Sequence, residues 1–300
     1  MTRISLGFNC NCFTNRYDEP EEWTRVCRQM GVRRVMFNID LIDPYWPWDL
    51  QKRLCDRTLE ACARNDVRIA CSFGGHHGHQ HYLGHPDPEC RREAEEFFKK
   101  AIRQTAYLGG ASFGTCFAIQ TVRTASDPVM RAHIMNDALE AYRRLAAHGA
   151  EAGLKALAYE MTGVPRETCA TFEENDAVLA AGKNMAIPLR VCLDMGHRNR
   201  AGTPDEANHL AWIRRYGAHC EVIDCQQTDL EASRHWPFTG EFNAKGVIRG
   251  GEVVEAIQES GAEGILLAFE IRGAAFHPQE RDFLDTLQAS VEHWRQWVKD

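Results

Sequence analysis

Three short apolar runs in this 300-residue chain each end in an acid: Ala158-Tyr159-Glu160, Cys192-Leu193-Asp194 and Ala268-Phe269-Glu270. One such acid is simply the first solvated residue after a strand. Three acids aimed at one axis in a partly desolvated mouth would repel one another strongly. A bound cation or raised pKa values would relieve that repulsion. A divalent metal is the simpler relief, with Glu160, Asp194 and Glu270 as oxygen donors. A fourth donor is expected from the run ending Cys225-Gln226-Gln227, with Gln226 the first choice and Gln227 or Asp224 the alternatives. Carboxylates plus an amide suit Mn²⁺ or Mg²⁺ better than Zn²⁺ or Co²⁺, a preference that a histidine nitrogen would blur.

Other polar residues cluster near the same run ends. His197, three residues after Asp194, is either a surface loop histidine or a partner of substrate or metal ligand. The segment His76-His77-Gly78-His79-Gln80-His81 follows another short run and fits no known zinc motif, so His76 and His77 are assigned to substrate binding. Trp46 offers an apolar wall, and Arg234, His235 and Arg272 offer charge and hydrogen bonds to a phosphate or carboxylate. Gly110-Ala111-Ser112-Phe113-Gly114 has the spacing of a hydrolase nucleophile elbow, but Ser112 follows a helical pattern and opens a strand, the reverse of what the elbow requires.

Positioning these groups requires a scaffold that brings many strand ends together. Strand-type runs are read at residues 4–9, 34–38, 67–73, 112–120, 154–160, 189–194, 221–226 and 264–270. Amphipathic helical patterns alternate with them at 21–30, 50–65, 91–108, 130–148, 172–183, 204–216, 251–260 and 279–298. Gly31, Gly149, Gly217 and Gly261 sit where helix C-caps are expected, and Thr203-Pro204 and His277-Pro278 resemble helix starts. Eight βα units predict an α/β fold, one (β/α)8 TIM barrel domain over residues 1–300, with reactive groups at the C-terminal strand ends. A doubly wound sheet is the runner-up, but no G-x-G-x-x-G follows the first run and no P-loop occurs.

Composition narrows the function classes. A formal net charge of −7 disfavours a nucleic-acid partner, and 44% hydrophobic with 26% charged residues describes an ordinary globular chain without membrane-length apolar runs. The 12 cysteines include no C-x-x-C pair and mostly lie in apolar runs, so they are expected to be reduced core residues in a cytoplasmic protein. No cleavable apolar leader pattern is read at the start.

The strand end at Glu160, the Asp194-Met195-Gly196-His197 segment and the Phe269-Glu270-Ile271-Arg272 strand end together resemble the xylose-isomerase-like barrel superfamily of sugar and sugar-phosphate isomerases and epimerases. The resemblance covers essentially the whole chain. It implies one divalent metal among a Glu after strand five, an Asp and nearby His after strand six, a His or Gln after strand seven and a Glu after strand eight. Gln226 stands where ketose epimerases usually have His. Gln226-Gln227-Thr228-Asp229 and His235-Trp236-Pro237-Phe238-Thr239 look like the branch containing tetrulose-phosphate epimerases of erythritol breakdown. The resemblance implies enediolate chemistry on a small ketose or ketose phosphate, with Glu160 and Glu270 as acid and base, and often a homo-oligomer. Other expectations within reach are an abasic-site endonuclease, disfavoured by the acidic charge, a keto-inositol dehydratase and a non-catalytic sugar binder.

Overall fold

The computed structural model describes residues 2–272 and 280–299. Eight parallel strands close in sequence order: β1 (Arg3–Asn9), β2 (Arg34–Asn38), β3 (Arg68–Phe73), β4 (Ser112–Cys116), β5 (Ala156–Glu160), β6 (Leu189–Asp194), β7 (Cys220–Cys225) and β8 (Gly264–Phe269), with β8 paired back onto β1. The helices are α1 (Pro20–Gln29), α2 (Trp48–Asn65), α3 (Gly75–Gln80), α4 (Pro88–Tyr107), α5 (Val122–Ser126), α6 (Pro128–Ala152), α7 (Phe172–Gly182), α8 (His209–Tyr216), α9 (Gly240–Lys245), α10 (Gly250–Glu259) and α11 (Glu280–Trp294). This is the TIM barrel that the alternation of runs predicts.

Strand alternation divides the core into two layers. Met36, Cys71, Phe73, Cys192, Val222, Leu266 and Ala268 pack together inside the barrel. Val191, Leu193, Ile223, Cys225, Ile265, Leu267 and Phe269 belong to the larger core between barrel and helices. All twelve cysteines are free, and all but Cys90 are buried.

Several boundaries differ from the sequence reading for physical reasons. The run at 112–120 stops pairing at Cys116, because β3 and β5 offer no ladder partner beyond Phe73 and Glu160. The strand-to-strand connections after β3, β4 and β7 each carry two helices rather than one, the first being a single short turn or two. Gly149 is not a cap: α6 runs through it and ends at Gly153, whose φ of +93° closes the helix. A side chain at Gly149 would meet Ile187 at 2.9 Å, so this glycine is there for close packing. Gly217 has φ −55° and leads into a 3-10 turn, and α8 starts at His209 under an Asn208 cap rather than at Pro204. Gly31 and Gly261 do adopt the left-handed conformation expected of them. The His277-Pro278 helix start lies outside the described residues.

Candidate active site

The same alternation that builds the inner layer delivers the acids. Cys192 faces the axis, so Asp194 two residues later does too; Val222 places Asp224, and Leu266 and Ala268 place Glu270. Register sets the heights, with Asp194 opposite Asp224, and Cys116 of β4 opposite Glu160 of β5. Glu160, Asp194, Asp224 and Glu270 are all buried and offer oxygens within 4.8 Å of one another. Asp194 also belongs to a second group, with His197 and His235, whose ligand atoms meet the same spacing.

Each acid has its own set of neighbours. Asp194 accepts from the backbone N–H of Gly196 and His197 at 2.5 and 3.1 Å and from Gln226 Nε2 at 2.8 and 2.9 Å. Asn9 donates to Asp224 at 3.3 Å, and the Cys192 thiol lies 3.4 Å from its other oxygen. Glu270 Oε1 accepts from Asn11 at 2.7 Å and Arg272 at 3.0 Å. Glu160 Oε1 lies 2.9 Å from His197 Nδ1.

Electrostatics pull these groups apart. Burial raises the Asp194 carboxyl to about 6, with the negative Glu270 and Glu160 adding to the rise and the two histidines opposing it. Burial and the other three acids push Asp224 well above the usual range. Burial acts to raise Glu270 as well, but His235 and Arg272 outweigh it and hold this carboxyl well below the usual range. Burial would lower His197; Asp194 and Glu160 overcome it and lift the imidazole to about 10.

The residues fit a divalent cation. Glu270 Oε2 is buried beside the ring with the His235 imidazole, 3.3 Å away, as its neighbour and no well-formed hydrogen bond, and four carboxyl groups at this spacing call for a positive centre. An oxygen-rich set of this kind is what a hard divalent ion takes.

The proposed site residues divide. Glu160, Asp194, Glu270, His197, His235, Arg272 and Gln226 come together at the mouth. Gln226 sits one position beyond the end of β7 and turns its amide nitrogen, not its oxygen, toward Asp194. The fourth acid of the ring is Asp224, the alternative to Gln226 on β7. His77 is drawn to Asp40, with its Nδ1 2.5 Å from Oδ1, while exposed His76 lies 3.6 Å from the same carboxylate. Arg234 pairs with Asp229 and Glu231. Trp46 is an exposed residue ahead of α2. The histidine of this segment that leans toward the ring is His79, whose Nε2 is 3.8 Å from Cys116 Sγ, itself 3.9 Å from Glu160. Gln227 faces away, bonded to Asn243 and the Ile248 carbonyl. Ser112 opens β4 and bonds Glu221, at the opposite end of the barrel from the acids.

Asn11 and Asp40 escaped the sequence reading. Both lie in 3-10 turns just past strand ends, where no periodicity marks them. Asn9 ends β1 as Glu160 ends β5, a polar strand end that the same rule marks.

Comparison with known proteins agrees with this geometry. Residues 18–297 match the family model described as xylose isomerase-like TIM barrel. A D-erythrulose 1-phosphate 3-epimerase from Brucella abortus (strain 2308) is 31% identical over 297 residues, covering 97% of this chain and 95% of its own. A solved protein from Rhodospirillum rubrum ATCC 11170 with a provisional xylose isomerase name superimposes with a TM-score of 0.90 at 25% identity, covering 98% of this chain and 99% of that one. D-psicose 3-epimerase from Clostridium cellulolyticum H10 shares the fold at a TM-score of 0.71 and 14% identity, over 99% of this chain and 100% of that one. An inward ring of acids on a closed eight-strand barrel and a family match over nearly the full length converge: the chain is an enzyme of the sugar isomerase and epimerase class and belongs to the xylose isomerase-like TIM barrel family.

Proposed function

We propose that the protein is a 3-epimerase of a small ketose phosphate, with a tetrulose phosphate as substrate, acting through an enediolate with Glu160 and Glu270 as acid and base and one divalent cation, Mn²⁺ or Mg²⁺. The observation that carries the reading is that Glu160 and Glu270 project from strands three places apart in the ring and still bring oxygens within 4.8 Å, with Asp194 and Asp224 between them. The tetrulose phosphate is suggested by the Brucella relative at 31% identity.

Inverting a carbon beside a carbonyl requires a proton to leave one face of a planar enediolate and return to the other. Two carboxylates projecting from strands three places apart suit those two jobs. Glu270 is held charged by His235 and Arg272, with Oε1 fixed by Asn11 and Oε2 3.3 Å from His235 Nδ1, the state needed to take a proton. Glu160 faces His197 and serves the other face. His197, protonated at neutral pH, is placed to hydrogen-bond a substrate oxygen. Asp194, Asp224 and the two glutamates would hold the cation, which supplies Lewis acidity toward the ketose oxygens when bound. Gln226 holds Asp194 in place, and the half-exposed guanidinium of Arg272 reaches the substrate phosphate.

The test is proton NMR in D₂O with Mg²⁺-loaded protein and D-erythrulose 1-phosphate. Deuterium should enter at carbon 3 while the epimer accumulates, and EDTA should stop both. No exchange at carbon 3 overturns the reading.

A further inference from the structure

We propose that His235, delivered by the loop after β7, is a nitrogen ligand of the cation, and that Gln226 is the positioning residue that sets it there. This deepens the metal reading above and rests on it.

Gln226 cannot turn its oxygen to the ring. Its Oε1 accepts the His235 backbone N–H at 2.6 Å, and its Nε2 lies 2.8 Å from the Asp194 carboxylate. One neighbour only donates and the ionised other only accepts, so turning the amide over would set N–H against N–H and oxygen against oxygen. The amide that strand spacing nominated as a ligand is therefore committed to its neighbours.

His235 is held in an unusual posture. Its φ is +50°, a left-handed conformation disfavoured for any side chain other than glycine's hydrogen. Its N–H is fixed by Gln226, its carbonyl accepts from the Arg272 N–H at 3.1 Å, and the adjoining Gln227–Trp236 bridge closes the loop. The result is a buried imidazole beside Glu270 and Asp194.

The ring's protonation follows from its contacts. Nδ1 lies 3.1 Å from the Glu270 backbone carbonyl and 3.3 Å from its Oε2, neither of which donates, so Nδ1 carries a hydrogen and Nε2 is the nitrogen left to face a cation. Gln226 Nε2 and Ser233 Oγ each lie 3.4 Å from Nε2. Gln226 gives its hydrogens to Asp194 and, at 3.0 Å, to Ser233, while Ser233 Oγ donates to Gln226 Oε1 at 3.2 Å. That leaves the Nε2 lone pair without a well-placed donor. The ligand atoms of His235, His197 and Asp194 lie within 4.8 Å of one another, and Asp194 is also part of the four-acid ring. His197, the rival imidazole, faces Glu160 and is the more exposed of the two, 23% against 10% for the side chains. A nitrogen among the oxygens shifts the preferred ion from Mg²⁺ toward Mn²⁺, Co²⁺ or Zn²⁺.

The test uses Mn²⁺ alone, without substrate. Pulsed EPR of the Mn²⁺-loaded protein should show coupling to an imidazole nitrogen that persists in His197→Asn and disappears in His235→Gly. Glycine accepts the backbone angle, so the second variant removes the ring without adding strain. Mn²⁺ affinity of His235→Gly should fall by about tenfold or more and recover with added imidazole. Nitrogen coupling that survives in His235→Gly, or is absent from Mn²⁺-loaded wild type, overturns the assignment and leaves the metal reading standing. Wild-type protein that binds no Mn²⁺ overturns both.

Discussion

The two halves of the barrel mouth treat polar side chains in opposite ways. On the β5 to β8 side, four acids share one small volume, and buried polar atoms such as Glu270 Oε2 lack partners. On the β2 to β3 side, His77 already has its partner: Asp40 takes its ring and the backbone N–H groups of His76 and His77, and His77 and His81 pack against Phe97. The acids are arranged around something they must still receive, the His77–Asp40 cluster around itself. Richness in metal-binding residue types is thus a poorer guide to a site than unsatisfied chemistry. A sequence shows only the former.

Breaking the acid side should have the largest effect. Glu160→Gln and Glu270→Gln each remove a proton carrier and should lower turnover by roughly 10²–10⁴-fold with an unchanged circular dichroism spectrum, measured by carbon-3 exchange. Substantial exchange in either variant would undo the assignment of roles.

The pH dependence of the metal-free protein sharpens the contrast. Asp194 has a folded pKa of about 6, above its unfolded value, so the folded state binds the extra proton and stability falls as pH rises from about 4 to about 6. His197 is also raised, to about 10; its contribution is complete below about 6.5 and is lost as pH climbs through 10. The melting-temperature advantage of metal-free wild type over Asp194→Asn should therefore shrink from pH 4 to 6 and its advantage over His197→Asn should shrink toward pH 10, with a divalent cation restoring stability most at the upper end of the first window. An advantage over Asp194→Asn that grows from pH 4 to 6 would contradict this account of the ring.

On the histidine side the effects should be structural and smaller. Asp40→Ala strands the His77 ring and two backbone N–H groups and should cost about 1–3 kcal/mol in denaturant melts. Exposed His76→Ala and ion-paired Arg234→Ala should stay within about 0.5 kcal/mol of wild type in stability and about twofold in turnover. A large turnover loss in His76→Ala would move substrate binding back to α3.

The fold and the acids were legible because both depend on short-range patterns. Alternation within a strand fixes which residue faces the axis, and the end of an apolar run fixes its height, so Glu160, Asp194 and Glu270 could be found without coordinates. At β7 the rule leaves two choices: Gln226 lies one position beyond the strand, as Glu270 does at β8, while Asp224, inside the run, stands level with Asp194. Residues whose placement depends on distant partners were out of reach. Asn11 meets Glu270 across 259 positions of chain, and His77 meets an aspartate 37 residues upstream. Gly149 was misread because a glycine required for packing against Ile187 looks, in sequence, like one required to end a helix.

The uneven exposure of the thiols turns the chain into its own unfolding reporter. Cys90 lies in the first turn of α4 and is exposed, while the other eleven are buried, among them Cys10, Cys27 and Cys192, whose burial also raises them well above the usual thiol range. A chromogenic disulfide reagent should consume one equivalent from the native protein and twelve after denaturation. The rate at which the remaining thiols become titratable then times the opening of the barrel without an added probe.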